Sequence, residues 1–144
     1  MADIPALVRL GSAFLRESPY GDLIPDDPAH LSALFARLIE HGDAALLVAQ
    51  DDAGSVLGMI GLVIEPHVLS GARTCGELFW YVEAAARGTG AGLSLLDAAE
   101  AWAADNGADL LLMAAPNARV GALYERHGYA AVETMYGKRV IRES

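Results

Sequence analysis

The 144-residue sequence predicts one α/β (α+β) domain, a central mixed but mostly antiparallel sheet flanked by helices, in the order α-α-β-β-β-α-β-α-β. Three observations lead there. Apolar residues recur at helical spacing up to residue 42 and then switch to short strand-like runs. Polar turns join those runs, one of them Asp51-Asp52-Ala53-Gly54-Ser55, as in antiparallel hairpins. A helix-like segment then separates the third run from the fourth, which is the arrangement of a parallel crossover.

The elements follow in order. In PALVRLGSAFLRES, Leu7, Leu10, Phe14 and Leu15 fall near helical spacing, and Ser18-Pro19 with Gly21 ends the helix. In DDPAHLSALFARLIEHG, Asp27 caps, Pro28 suits the first helical position, Leu31, Leu34, Phe35 and Leu38 form one stripe, and Gly42 is the stop. AALLVAQ, VLGMIGLVIEP and CGELFWYVE read as three strands of a meander. A glycine turn leads into a helix carrying Leu95, Ala98, Ala99 and Trp102 on one face and stopping at Asn106-Gly107. ADLLLMAA is a continuous apolar run and reads as a buried strand. NARVGALYERHGY is a short helix capped by Asn117, with Val120, Leu123, Tyr124 and His127 on a stripe and Gly128 as its stop. The tail AAVETMYGKRVIRE is expected to close the sheet with strands around Gly137.

Composition narrows the function. With 53% hydrophobic and 20% charged residues, 15 Gly and one Cys, the chain is neither disordered nor a disulfide scaffold, and it is long enough for one core. The lone Cys75 fits a reducing compartment. No basic segment followed by an apolar run opens the chain, and the longest apolar run, 56–64, is too short to span a bilayer. A cytoplasmic protein without membrane or nucleic-acid partners is expected, because a net charge of −9 is repelled by a duplex. An acidic surface tolerates cationic amines, though acidity also serves solubility.

The turn Arg87-Gly88-Thr89-Gly90-Ala91-Gly92 lies between a strand and a helix, where unpaired N–H groups and the helix dipole stabilise an anion. A P-loop would need Lys-Ser/Thr after the last glycine, and here Leu-Ser-Leu follows Gly92. A dinucleotide fingerprint would need glycine where Leu93 stands and an acidic residue after the next strand, where MAAPN has none. The hexapeptide instead resembles the R/Q-x-x-G-x-G/A pyrophosphate loop of the GNAT N-acetyltransferases. Downstream, NARVGALYERHGY is similar to that family's N-x-x-A-x-x-L-Y-E-x-x-G-F/Y signature. The resemblance extends over nearly the whole chain and implies the GNAT fold, with acetyl-CoA as cosubstrate and no metal.

It further implies direct acyl transfer to a primary amine of a small molecule or peptide, with a homodimer admitted. The implied cofactor-binding set is Tyr81, Val82, Arg87, Gly88, Thr89, Gly90, Ala91, Gly92, Asn117 and Tyr124. A backbone N–H near Val82 would polarise the thioester carbonyl, and Tyr124 would be the general acid toward the departing thiolate. Each residue also has a plainer reading. Asn117 can be only a helix cap, Tyr124 a core tyrosine, Arg87 a solvated charge, and the glycines tight packing. The base is not carried over from relatives with a glutamate five residues before the Asn, since that position is Leu112. Glu77 is the expected base, acting through water, or else a solvated strand-end charge; Glu83 and His67 are lesser candidates. Cys75 is read as incidental, because no acyl-enzyme is needed.

Two departures from the family stand out. Only MADI precedes the first helix, so the family's first strand is expected to be short or missing, and Ala84 stands where proline is common. The loops SPYGDLIPDDP and EPHVLSGARTCGE match nothing in particular, and Asp22, Asp26 and Asp27 there either receive a cationic amine or cap the helix. Trp80 and Phe79 fall on opposite strand faces, so only one can line an acyl slot. A catalytically idle CoA-binding or assembly module on the same fold is the alternative function.

Overall fold

A computed structural model describes residues 3–142. Among them the order is α1 (Ile4–Glu17), α2 (Pro28–Glu40), β1 (Ala44–Gln50), β2 (Val56–Pro66), β3 (Arg73–Val82), α3 (Ala91–Asp105), β4 (Leu110–Leu112) and α4 (Ala118–Arg126), with 3₁₀ turns at Pro19–Asp22 and Ala84–Ala86. Local chemistry sets the helix starts. The Asp3 carboxylate accepts from the Ala6 amide at 3.1 Å, Asp27 from His30 at 3.1 Å, and Asn117 from Val120 at 3.0 Å, each meeting an amide that the first turn leaves without a partner. Helix α3 lacks such a cap and begins after Gly90 instead.

The sheet order is β1-β2-β3-β4. The first three strands are antiparallel, as the hairpin turns require, while β4 runs parallel to β3 with Thr74, Cys75 and Gly76 opposite Leu110, Leu111 and Leu112. Helices α1 and α2 cover one face, packing Leu7, Leu10, Phe35 and Leu38 on Met59 and Tyr81. Helix α3 covers the other, packing Leu95 and Ala99 on Ile60, Leu62 and Cys75. Each fully buried large side chain contributes about 1.5–3 kcal/mol, so these two layers supply most of the fold's driving force.

One irregularity in β3 decides which residues face which layer. Leu62 pairs with Glu77, but its neighbour Gly61 pairs with Phe79, so Leu78 is an extra, unpaired residue. Cys75 therefore lies in the α3 layer while Phe79, four residues on, lies in the α1–α2 layer against Phe35, with ring centroids 5.6 Å apart. The same shift puts Glu77 and Trp80, paired with Leu62 and Ile60, on one face. Gly61 is where Phe79 crosses β2, and a Cβ there would overlap the Phe79 ring.

Several sequence expectations need correction. The buried residues of α3 are Leu95, Leu96, Ala99 and Ala103, and Ala98 faces solvent. His127 is exposed, outside the buried stripe of α4. Strand β4 has only three residues and is an edge strand with Leu110 exposed, where a buried strand was expected, because nothing beyond it continues the sheet among the described residues. The tail forms no closing strand: residues 130–142 are exposed and lie outside the sheet. β-rich composition favours a strand only where a partner edge is in reach. No strand precedes α1 among the described residues.

Candidate active site

Strands β3 and β4 pair only over Thr74–Gly76 and Leu110–Leu112; β3 then continues for six residues while β4 ends. The sheet thus opens into a cleft from Glu77 onward. Across β3, Glu83 donates its N–H to the Leu57 carbonyl on β2 at 2.9 Å. Peptide groups alternate sides along a strand, so those of Val82 point into the opening. The Val82 carbonyl is accordingly free to accept from Arg87 Nε at 2.9 Å, and its N–H faces the same side.

At the far end of the cleft is the glycine turn. Gly88 and Gly90 have φ of 85° and 91°, the left-handed region, and a Cβ at either would meet open space. The need for glycine at both is conformational, since nothing crowds them. Gly92 differs: it is helical, and a Cβ there would make ordinary contact with Trp80 and Val82, so its role is close packing of α3 on β3. The first helical hydrogen bond runs from Ser94 to Gly90 at 3.0 Å, which leaves the amides of Ala91, Gly92 and Leu93 at the positive end of a 15-residue helix. Thr89 is turned inward, its hydroxyl donating to the Ala86 carbonyl at 2.5 Å. These amides, with open space at Gly88 and Gly90, leave a place where an anionic group would be stabilised.

Arg87 is more engaged than a solvated charge. Its guanidinium also reaches the Glu17 carboxylate at 3.2 Å and lies 5.4 Å from the Tyr81 ring centroid. The Tyr81 hydroxyl donates to the same carboxylate, whose titration is lowered by that hydrogen bond and then by Arg87. The Tyr81 side chain thus belongs to the α1–α2 layer, and only its backbone borders the cleft. Glu17 was missed by sequence reasoning; it sits 70 residues from Arg87, and only the fold brings the two together.

Deeper in the cleft, Glu77 and Tyr124 both lie beside Ala114. Burial pushes the Glu77 carboxyl up from 4.5 to about 7, partly offset by the Ala114 amide. The Tyr124 hydroxyl donates to the Ala114 carbonyl at 2.9 Å. Its own titration is raised, first by burial and then by the Glu77 charge, so it stays protonated at neutral pH. Trp80 stacks on Tyr124 at 5.9 Å, and Tyr129 tilts against it at 5.3 Å. The buried Trp80 indole N–H has no hydrogen-bond partner.

The remaining candidates lie elsewhere. Asn117 is exposed, with its side-chain oxygen engaged in capping α4. His67 organises the β2–β3 hairpin, its Nδ1 accepting from the Leu69 amide at 3.1 Å, at the paired end of β3 away from the cleft. Asp27 caps α2, and Asp26 accepts from the Ser12 hydroxyl at 2.9 Å. Burial raises the Cys75 thiol, which opposes a nucleophilic role. Among the described residues no cluster of three His, Cys, Asp or Glu could hold a metal ion, and no helix is long and apolar enough to cross a membrane.

Known proteins share this architecture. The chain resembles a putative acetyl transferase from Pyrococcus furiosus, at 24% identity and TM-score 0.73, covering 96% of this chain and 94% of that one. A ribosomal-protein-alanine N-acetyltransferase from Brucella melitensis is similar at 23% identity and TM-score 0.70, over 96% and 94% of the two chains. A protein described as a transcriptional regulator from Bacillus halodurans is similar at 21% identity and TM-score 0.77, over 96% of each chain. At such identities the likeness establishes the fold. No curated protein matches significantly. The profile of the acetyltransferase (GNAT) family, however, matches residues 10–129, from within α1 past the end of α4, and on that match the chain belongs to the GNAT family of acetyltransferases.

Proposed function

We propose that this protein is an acetyl-CoA-dependent N-acetyltransferase that transfers the acetyl group directly to a primary amine of a small molecule or peptide. The observation that carries this is that the Tyr124 hydroxyl, donating to the Ala114 carbonyl, lies beside the carboxyl of Glu77 inside the cleft that leads to the glycine turn. Bound acetyl-CoA would supply the activated carbonyl and the thiol leaving group. Residues 87–92 hold the diphosphate through backbone amides, and the parted strands accept the arm that joins it to the thioester.

Glu77 takes a proton from the incoming ammonium, directly or through water, since a carboxylate poised near neutral pH is partly ionised there and still basic. The Val82 N–H donates to the carbonyl oxygen as negative charge develops on it. Tyr124 offers its O–H to the thiolate side. Burial first, and then the Glu77 charge, hold its proton tightly, and the second of these is relieved when Glu77 becomes neutral by accepting the amine's proton. Base and acid are thereby coupled. Asn117 serves the site by fixing the start of α4, which carries Tyr124.

Isothermal titration with acetyl-CoA, followed by free-thiol release against a panel of amines, tests the reading. Binding with amine-dependent release is expected. Binding with no release across a broad panel would favour an idle CoA-binding module, and no binding would overturn the assignment of the glycine turn.

A further inference from the structure

The cleft end of β3 lacks the support that a sheet normally gives. On one side Val82 pairs with Gly58 of β2; on the other, β4 has ended at Leu112, so no ladder holds the peptide groups that face the cleft. Beyond Val82 the chain passes through Glu83 and the 3₁₀ turn Ala84–Ala86 before it reaches Arg87, and alanine has no side chain long enough to brace such a span. The Val82 carbonyl nevertheless has a donor. Arg87 Nε reaches it at 2.9 Å and closes the span into a ring.

Arg87 is in turn held from α1. One of its terminal nitrogens lies 3.2 and 3.4 Å from the two carboxylate oxygens of Glu17, the last residue of that helix. The Tyr81 hydroxyl donates to the same carboxylate. The guanidinium lies over the Tyr81 ring, 5.4 Å from its centroid, and Phe14, one turn before Glu17, meets that ring edge-on at 5.7 Å. The last turn of α1 thus grips the strand end and the arginine together. An ion pair as exposed as this one adds little stability. What it fixes is direction: with carboxylate, ring and carbonyl all engaged, the planar guanidinium has one orientation.

From these contacts we infer that Glu17 is a positioning residue: through Arg87 it holds the Val82 carbonyl, and so sets the span between the cleft end of β3 and the glycine turn. The inference rests on the acetyl-transfer reading of the cleft. In that reaction the Val82 N–H must lie where the thioester oxygen gains charge, while the amides after Gly90 hold the diphosphate. A donor gripped at both places tolerates little error in the distance between them. The clasp of Glu17, Arg87 and Val82 supplies that distance with side chains, where the parted strands cannot.

Glu17→Ala should lower kcat about tenfold at saturating acetyl-CoA, while the Kd for acetyl-CoA moves less than about twofold and far-UV circular dichroism is unchanged. Arg87→Ala should cost about the same in kcat, and the double variant no more than either, since both cut one chain of contacts. Glu17→Gln, which keeps an acceptor oxygen without the charge, should recover part of the rate. Nuclear magnetic resonance of the free protein reads the clasp without turnover. The Arg87 Nε–H should give a resolved, protected signal that is lost in Glu17→Ala, with the Val82 carbonyl carbon shifting and the α3 amides in place. Additive losses in the double variant, a rate unchanged or raised in Glu17→Ala, or an Arg87 signal indifferent to Glu17 would each overturn the inference. If no amine is acetylated by the parent chain, the transfer reading fails, and the Arg87 signal still decides whether Glu17 holds Val82.

Discussion

In the proposed mechanism Glu77 is the residue on which the chemistry turns, and its environment makes two separable predictions. Activity requires the ionised carboxylate, so kcat/KM should be low in acid and rise through an apparent pKa near 7, and Glu77→Gln should flatten that limb and reduce turnover. A pH–rate profile unchanged in Glu77→Gln would remove Glu77 as base. Stability runs the other way. The folded carboxyl holds its proton more tightly than the unfolded one, so nothing is lost below about pH 4.5, and stability falls as pH rises toward about 7. Glu77→Gln should therefore be more stable than the parent by about 1–3 kcal/mol at pH 8 and equal to it at pH 4, a difference urea denaturation at the two pH values will read. Tyr124→Phe loses the bond to the Ala114 carbonyl at about 1 kcal/mol, and titration should show acetyl-CoA affinity nearly intact while turnover drops. Glu77 and Tyr124 could be named as candidates from the sequence; that both lie beside Ala114 could not, because that depends on where β4 ends. Glu17 was equally hidden, since nothing near it in sequence distinguishes it from any other acidic residue at a helix terminus.

Helices were legible because their signals are local. Asp3, Asp27 and Asn117 each cap the helix that follows within three residues, and Pro5 and Pro28 sit in first turns where no amide is missed. The hairpins were legible for the same reason. What failed is what depends on distant partners. β4 was expected to be buried on apolar content alone, yet it pairs with β3 at three positions and has no partner on its other side among the described residues. The tail failed likewise, its strand-like composition being taken up by no sheet edge among the described residues. At the glycine turn the local signal and the geometry agree, which makes a sharp test possible. Gly90→Val forces a β-branched residue to φ 91°, a strain of about 1–2 kcal/mol or more at the entrance of α3. Calorimetry should show acetyl-CoA binding abolished while circular dichroism still reports a folded domain. Retained affinity would argue that the diphosphate binds elsewhere.

The molecule as a whole is two apolar layers sharing one thin sheet, so neither can loosen alone. Phe35 is 1% exposed and joins α2 to Phe79 on β3. Phe35→Ala should cost about 3–5 kcal/mol, a large part of the 5–15 kcal/mol that a domain of this size commands, and a single cooperative urea transition should move to lower denaturant. Two separate transitions would mean that the layers fold independently. The extra residue in β3 is what lets the strand serve both layers as it does. Sidedness along a strand is a matter of parity, and Leu78 is the one residue that changes it between Cys75 and Phe79. Were Leu78 paired regularly instead of bulged out, the rest of the strand would turn over, sending Phe79 and Tyr81 toward α3 and separating Trp80 from Tyr124; deleting it would leave an unbroken ladder in which each of these side chains keeps its face. Between Gly76 and Phe79, then, it is the bulge that reconciles one residue too many with a fixed assignment of side chains to layers.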